Sequence, residues 1–274
     1  MKTIATLLTC HNRKEKTLKC LKALYEQVFS FDIDLKVFLT DDGCTDGTAE
    51  AVCSHFPDVK IIQGDGTLFW NRGMLKAWQE AAKEKFDFYL WLNDDTYLLP
   101  DAINKMLVAS EKKENKAIFV GTTQESETSQ EITFGGRKLP RFKQIISPDE
   151  YTPTECDMFN GNIVLIPKHA FETIGFNDSY YRHAFGDFDY GHRARKLGIK
   201  MYITPGILGY CYIHRAIPSF QQKQNGLIKR LRLLYSPLGI NPFEDFHYQY
   251  KFRSLIYSIC HVIKLHINVI FFTR

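Results

Sequence analysis

The strongest constraint on this chain is a fourfold alternation in its first half. Four apolar runs of strand length are each followed by a segment with helical periodicity. TIATLLT precedes EKTLKCLKALYEQ, DLKVFLTDDG precedes TAEAVCSHF, VKIIQGDG precedes NRGMLKAWQEAAKEK, and FDFYLWLNDD precedes PDAINKMLVASEKK. In the first helix Leu18, Leu21, Leu24 and Tyr25 fall on one face. A helix after every strand implies right-handed crossovers, and therefore an α/β fold with a Rossmann-like, mainly parallel sheet flanked by helices.

In open sheets of this kind ligands bind beyond the carboxyl ends of the strands. Four polar junctions fall there: TCHNR, TDDGCTDG, GDGTLFWNRG and NDDTY. Any one of them alone reads as an ordinary turn, because Asp, Asn and Gly suit turns for backbone reasons. Four on one rim point to a site. The fourth poses the sharpest question, since Asp94 and Asp95 end a run as apolar as FYLWL. Adjacent carboxylates repel unless a cation, a donor-rich ligand or solvent accommodates them. The chain contains neither GxGxxG nor GxxxxGK[ST], so the usual backbone cradle for phosphates is missing. A Mg²⁺ or Mn²⁺ ion on carboxylate oxygen could replace it.

With 274 residues, 45% hydrophobic and 14% aromatic, the chain can bury one large core or two smaller ones, which excludes a disordered protein. Its seven cysteines form no CxxC pair and no cluster with histidines, so no zinc site or disulfide framework is written here, and a reducing cytosol is expected. The N-terminal apolar run is too short for a signal peptide or anchor. The expected location is therefore cytoplasmic.

TCHNR, DDGCTDGT, NDD and the later GDFDYGHRARKLG, in that order, resemble the motifs of family 2 glycosyltransferases. The resemblance covers roughly residues 1–215 and implies a GT-A fold. GDGTLFWNRGM is further similar to a branch containing bacterial rhamnosyltransferases. Carried over by position, the resemblance places Thr9, His11 and Arg13 near the nucleotide, with His11 where Tyr is common. It makes Asp41 and Asp42 acceptors for base and ribose, which favours uracil or thymine, sets Asp94 near the ribose and puts Asp95 on the metal. Asn93 replaces the first acid of the family's DXD and is not counted as a ligand. Asp187 falls on the carboxylate that acts as general base, and Gly186 stands where Glu is common. The bland alternative for Asp187 is a first-turn acid favoured by the helix dipole, and Asp189 reads as structural. Asp65, Trp70, Asn160 and Gly161 are expected in the donor and acceptor pocket, although Gly161 reads equally as a turn. His214 sits where many members place a metal-coordinating histidine. The polar stretch TQESETSQEITFGGRKLP reads as a mobile loop able to close on substrates.

Three functions stay open at this level. The first is an inverting, Mg²⁺- or Mn²⁺-dependent glycosyltransferase using a pyrimidine-nucleotide sugar, dTDP-rhamnose first or a UDP-sugar. The second is a sugar-nucleotide nucleotidyltransferase, against which TCHNRKEK lacks the glycines of such enzymes' first loop. The third is a non-catalytic nucleotide-sugar binder, which would tolerate loss of Asp95 or Asp187.

Charge divides the chain. From His192 onward thirteen Lys and Arg face only Glu244 and Asp245, out of totals of 35 and 31. A catalytic domain at 1–224 and a basic, aromatic helical segment at 225–274 are expected. The run from Phe252 to Phe272 is broken by Arg253, His261, Lys264 and His266 and is too polar for a spanning helix. An interfacial helix on the inner face of a membrane, beside a lipid-linked glycan acceptor, fits better than a nucleic-acid contact. Packing against a second subunit is the alternative.

Overall fold

The computed structural model describes residues 1–139, 144–213 and 217–272. The alternating half comprises β1 (Lys2–Cys10), α1 (Lys14–Tyr25), β2 (Ile33–Asp41), α2 (Thr48–His55), β3 (Lys60–Gln63), α3 (Phe69–Ala81), β4 (Phe88–Leu92), the short β5 (Tyr97–Leu98) and α4 (Ala102–Glu111). There follow β6 (Ile118–Gln124), β7 (Ile132–Phe134), β8 (Gly136–Arg137), β9 (Thr154–Cys156), β10 (Met158–Phe159), β11 (Ile163–Pro167), α5 (Lys168–Ile174), α6 (Gly186–Lys196) and β12 (Met201–Tyr210). The chain ends in α7 (Leu227–Leu234), α8 (Pro242–Phe252) and α9 (Leu255–Phe271).

The main sheet runs β3-β2-β1-β4-β11-β6-β12-β5. Its first four strands are parallel, as the crossovers require. β11 then enters antiparallel to both β4 and β6, while β6 and β12 are parallel. β4 and β11 lie centrally and are buried along their whole length, which is why FYLWL and IVLIP are apolar without alternation. The two faces differ in chemistry. Leu90 and Leu92 of β4 pack toward Leu21 and Leu24 of α1 and Met106 of α4. Tyr89 and Trp91, pointing the other way, join Trp78 of α3, Ala170 of α5 and Tyr190 of α6. On that aromatic side Trp78 meets Trp91 edge-on at 5.5 Å between centroids, a favoured ring geometry.

The stretch expected to be a mobile loop is instead partly woven into the fold: β7 pairs with β6, and β8 pairs with β10. Gly136 is held tightly enough that a Cβ there would lie 2.5 Å from Ile203 Cγ1. Among the described residues no helix is long and apolar enough to cross a membrane.

Candidate active site

All four polar junctions follow the C-terminal ends of the parallel strands β1 to β4. They border a cleft of about 790 Å³ that also reaches the turn between β10 and β11, the start of α6 and the segment beyond β12. Thr9, His11, Arg13, Asp42, Trp70, Asp94, Asp95, Asn160, Gly161 and Asp187 all line it. Asp41 and Asp65 do not, and His214 lies outside the described residues.

At the end of β4 the paired acids meet a cation from the protein itself. Arg13, at the start of α1, places Nη1 3.2 Å from Asp94 Oδ1 and 2.9 Å from Asp95 Oδ2. Thr17 Oγ1 donates to Asp94 Oδ2 at 3.3 Å. Burial pushes the Asp94 carboxyl up to about 7, with Arg13 opposing and the Asp95 charge adding to the rise. Asp95 is the more open of the two, 18% exposed against 7%, and its Oδ1 lies 3.8 Å from the Cys211 thiol. This all-oxygen pair, with both carboxylates on the cleft wall, fits a hard divalent cation that takes its remaining ligands from phosphate and water. By contrast, Cys10, Asp41 and Cys44 form the one group of three ligand atoms within 4.8 Å of one another among the described residues. That group is thiol-rich and ill suited to Mg²⁺ or Mn²⁺. Burial holds both thiols up in their protonated form, Cys44 at about 11.

Three of the acids at these junctions hold backbone N–H groups of the junction loops. Asp42 is buried and accepts from three backbone N–H groups of the next junction, Gly66 at 2.9 Å and Leu68 at 3.2 Å on Oδ1 and Phe69 at 2.8 Å on Oδ2. Three of roughly four acceptor positions on a carboxylate are thereby taken. Asp41 does not line the cleft, and its Oδ1 accepts from Cys44 N at 2.7 Å. The exposed Asp65 closes a local turn through Thr67 N and Oγ1. His11 Nδ1 donates to the Asp42 carbonyl at 2.6 Å, so the ring is anchored at the cleft edge.

Across the cleft, Asp187 sits in the first turn of α6. Its Oδ2 accepts from Gly161 N at 3.1 Å and its Oδ1 from Phe188 N at 2.8 Å. Burial pushes its carboxyl up to about 6, offset in part by these donors and by the nearby Arg137 guanidinium. Gly161 is required by close approach, because a Cβ there would lie 2.6 Å from the Trp70 ring. Trp70 Nε1 donates to Asn93 Oδ1 at 2.7 Å. The asparagine in the first DXD position thus fixes an aromatic wall.

Several residues at or beside the cleft wall escaped the sequence reading. Arg137, from the segment read as a loop, clasps Asn160 Oδ1 through Nε and Nη2 at 3.1 and 3.0 Å. Phe69 and Phe185 both line the cleft with left-handed backbones, φ 57° and 68°. Bulky residues adopt this conformation rarely and mostly where function holds them there. Asp189 is fully buried and paired with Arg193 at 2.7 Å and Lys251 at 2.6 Å, a structural role as expected.

The family described as glycosyl transferase family 2 matches residues 6–170, more than half of the chain. This chain belongs to glycosyl transferase family 2. The class of that family, a glycosyltransferase, is the enzyme class expected from the motifs. The fold is GT-A, as its structural neighbours show. Residues 1–349 of S. aureus TarS, in complex with UDP-GlcNAc, superpose with a TM-score of 0.61 at 11% identity, covering 98% of this chain and 82% of that one. A longer S. aureus TarS structure gives 0.57 at 12% identity, covering 100% of this chain, which spans only 44% of it. The Pyrobaculum calidifontis mannosyltransferase PcManGT, in complex with GDP-Man and Mn²⁺, gives 0.54 at 15%, covering 97% of this chain and 71% of that one. At such identities the likeness is one of fold. No curated protein matches the chain by sequence.

Proposed function

We propose that this protein is an inverting, metal-dependent glycosyltransferase. It moves a sugar from a pyrimidine-nucleotide donor, dTDP-rhamnose or a UDP-sugar, to a hydroxyl of a glycan, in bacterial surface polysaccharide synthesis. One observation carries the reading: a carboxylate raised to about 6, Asp187, faces the same cleft as the Arg13–Asp94–Asp95 group. Inverting transfer needs these two ends. A base takes the proton of the acceptor hydroxyl as it attacks the anomeric carbon, and positive charge receives the nucleoside diphosphate departing from the opposite side.

Asp187 is the base in this scheme, held by Gly161 N and Phe188 N so that its carboxylate cannot turn away. Arg13 supplies fixed positive charge to the leaving diphosphate. Asp95, backed by Asp94, would hold Mg²⁺ or Mn²⁺, which when bound neutralises charge on that diphosphate. Thr9 and His11 border the nucleotide end, while Asp42 shapes the loop from Gly66 to Phe69 that encloses it. Trp70, Asn160 and Gly161 form the wall between donor sugar and acceptor. A pyrimidine donor is supported by the UDP and UDP-GlcNAc complexes of TarS. The GDP-Man complex of PcManGT makes guanine the competing base and adds support for a divalent cation.

The test is nucleotide release from UDP-, dTDP- and GDP-sugars, with and without Mn²⁺ or Mg²⁺. Release from a UDP- or dTDP-sugar that EDTA abolishes is expected. Turnover confined to GDP-sugars would overturn the pyrimidine assignment. Formation of nucleotide-sugar from a nucleoside triphosphate and a sugar phosphate would identify a nucleotidyltransferase instead.

A further inference from the structure

Helix α9 has two apolar faces, and only one is used. Ser258, Leu265 and Val269 are buried toward the other C-terminal helices, with Val269 in a cluster with Leu234 and Phe220. On the opposite side Ile256, Ile259, Ile263, Ile267 and Ile270 are all exposed, from 75% at Ile256 to 41% at Ile270. Their spacing of three, four, four and three residues sets them in one stripe along the helix. Leu255, Phe271 and Phe272 extend it at both ends and are exposed as well. Isolated exposed isoleucines are ordinary on a protein surface, whereas a continuous stripe of five marks something that covers it.

Charge identifies the cover. Between residues 217 and 272 the exposed ionic side chains are Lys223, Lys229, Arg232, Arg253 and Lys264, all cationic. The two acids are consumed inside: Glu244 pairs with Arg182 at 2.6 Å, and Asp245 with His261 at 2.7 Å. The outer surface of this region therefore offers apolar groups and positive charge with no exposed carboxylate. A nucleic acid would satisfy the charge but give the isoleucines no apolar phase. A second copy across a twofold axis would set like charge against like. An anionic bilayer satisfies both.

We infer that α9 lies in the headgroup region of an anionic membrane, with its isoleucine stripe toward the acyl chains and Lys229, Arg232, Arg253 and Lys264 at the phosphates. The helix has 17 residues, about 26 Å at 1.5 Å per residue, and its lysine and two histidines make it an in-plane rather than a spanning element. The C-terminal region also contributes to the cleft. Leu238, between α7 and α8, is 71% exposed and lines the cleft wall. On the transferase reading above, docking would hold the cleft beside an acceptor whose lipid end stays in the bilayer.

The test is co-sedimentation of the full chain with phosphatidylcholine vesicles, with and without phosphatidylglycerol, in the absence of donor and acceptor. It is thus independent of whether the cleft transfers sugar. Binding to the anionic vesicles that weakens in high salt is expected. Ile259→Glu with Ile263→Glu should lower the partition coefficient about tenfold or more, as should charge reversal at Lys229, Arg232 and Lys264. Because these side chains are exposed, thermal melting and donor hydrolysis by the variants should match the parent. No binding to anionic vesicles, or undiminished binding by the isoleucine variant, overturns the inference. So does a concentration-dependent dimer that Ile263→Glu dissociates, which would make the stripe a subunit contact.

Discussion

Asp187 answers to two opposed demands: burial favours its protonated form, and acting as a base needs its ionised form. With its carboxyl raised to about 6, transfer should be level near pH 8 and fall as pH drops through about 6. The same shift affects stability. A carboxyl raised on folding favours the native state while protonated, below its unfolded value near 3.8, and that contribution is lost as pH rises through about 6. Asp187→Asn removes the effect, so its melting temperature relative to the parent should improve between pH 5 and pH 8. Its transfer rate should drop by about 10²- to 10⁴-fold, the usual worth of positioned proton transfer. A pH profile that stays flat through 6, or donor affinity that collapses in the variant, would remove Asp187 as the base. At the other end of the cleft, Asp95→Asn should nearly abolish transfer with little change in melting, because this residue is partly open and at a strand end. Chelation should do the same to the parent. Turnover that survives both would leave Arg13 as the sole cation at the diphosphate.

The helix α6 that carries Asp187 starts at a glycine for a steric reason. A Cβ on Gly186 would lie 2.0 Å from Asn71 Oδ1. Asn71 cannot yield, since its Nδ2 donates to the carbonyls of Asp178 and Tyr181 at 2.8 and 2.7 Å, and Asn177 Nδ2 donates back to it. The absent family glutamate is thus an accommodation between α3 and α6. Gly186→Ala should cost about 1–3 kcal/mol through overpacking, and should lower kcat at least as much as donor affinity because it displaces the first turn. Unchanged melting and rate would sink this account. Elements built on periodicity were legible beforehand. TIATLLT, VFLT and FYLWL could only be buried strands, and the helices between them forced parallel pairing. The antiparallel direction of β11 was not legible, because the side-chain pattern of a buried strand is the same in both senses. At strand ends the sequence showed where charge would gather but not what it would face. A carboxylate that orders its own neighbouring loop, as Asp41 and Asp42 do, has the same composition as one that binds a ligand. Arg137 was hidden in a polar stretch, where Gly135 and Gly136 were the signal of tight packing.

The charge asymmetry of the whole chain suggested a body at 1–224 and a basic helical segment at 225–274, and contacts cross that boundary. α8 is fastened to the catalytic half. Lys251 reaches Asp178 at 2.9 Å and the fully buried Asp189 at 2.6 Å, and Glu244 takes Arg182 at 2.6 Å. Tyr248 stacks on Phe185, a wall of the cleft, and Phe252 stacks on His192 of α6. α8 therefore buttresses the helix that presents Asp187, while the outward stripe belongs to α9. A chain ending at Gln224 would leave Asp189 with Arg193 and the Tyr181 hydroxyl, and would expose Phe185 and His192. Loss of one partner of a buried ion pair costs about 3–5 kcal/mol where no other partner remains, and less here because Arg193 stays. Such a chain should melt well below the parent and lose transfer even to a soluble acceptor. Lys251→Met in the full chain isolates the ionic part and should cause a smaller fall in melting temperature, with the α9 stripe and its vesicle binding unaffected. If the chain ending at Gln224 melts and transfers like the parent, α8 is a passenger and the boundary drawn from charge alone is the true one.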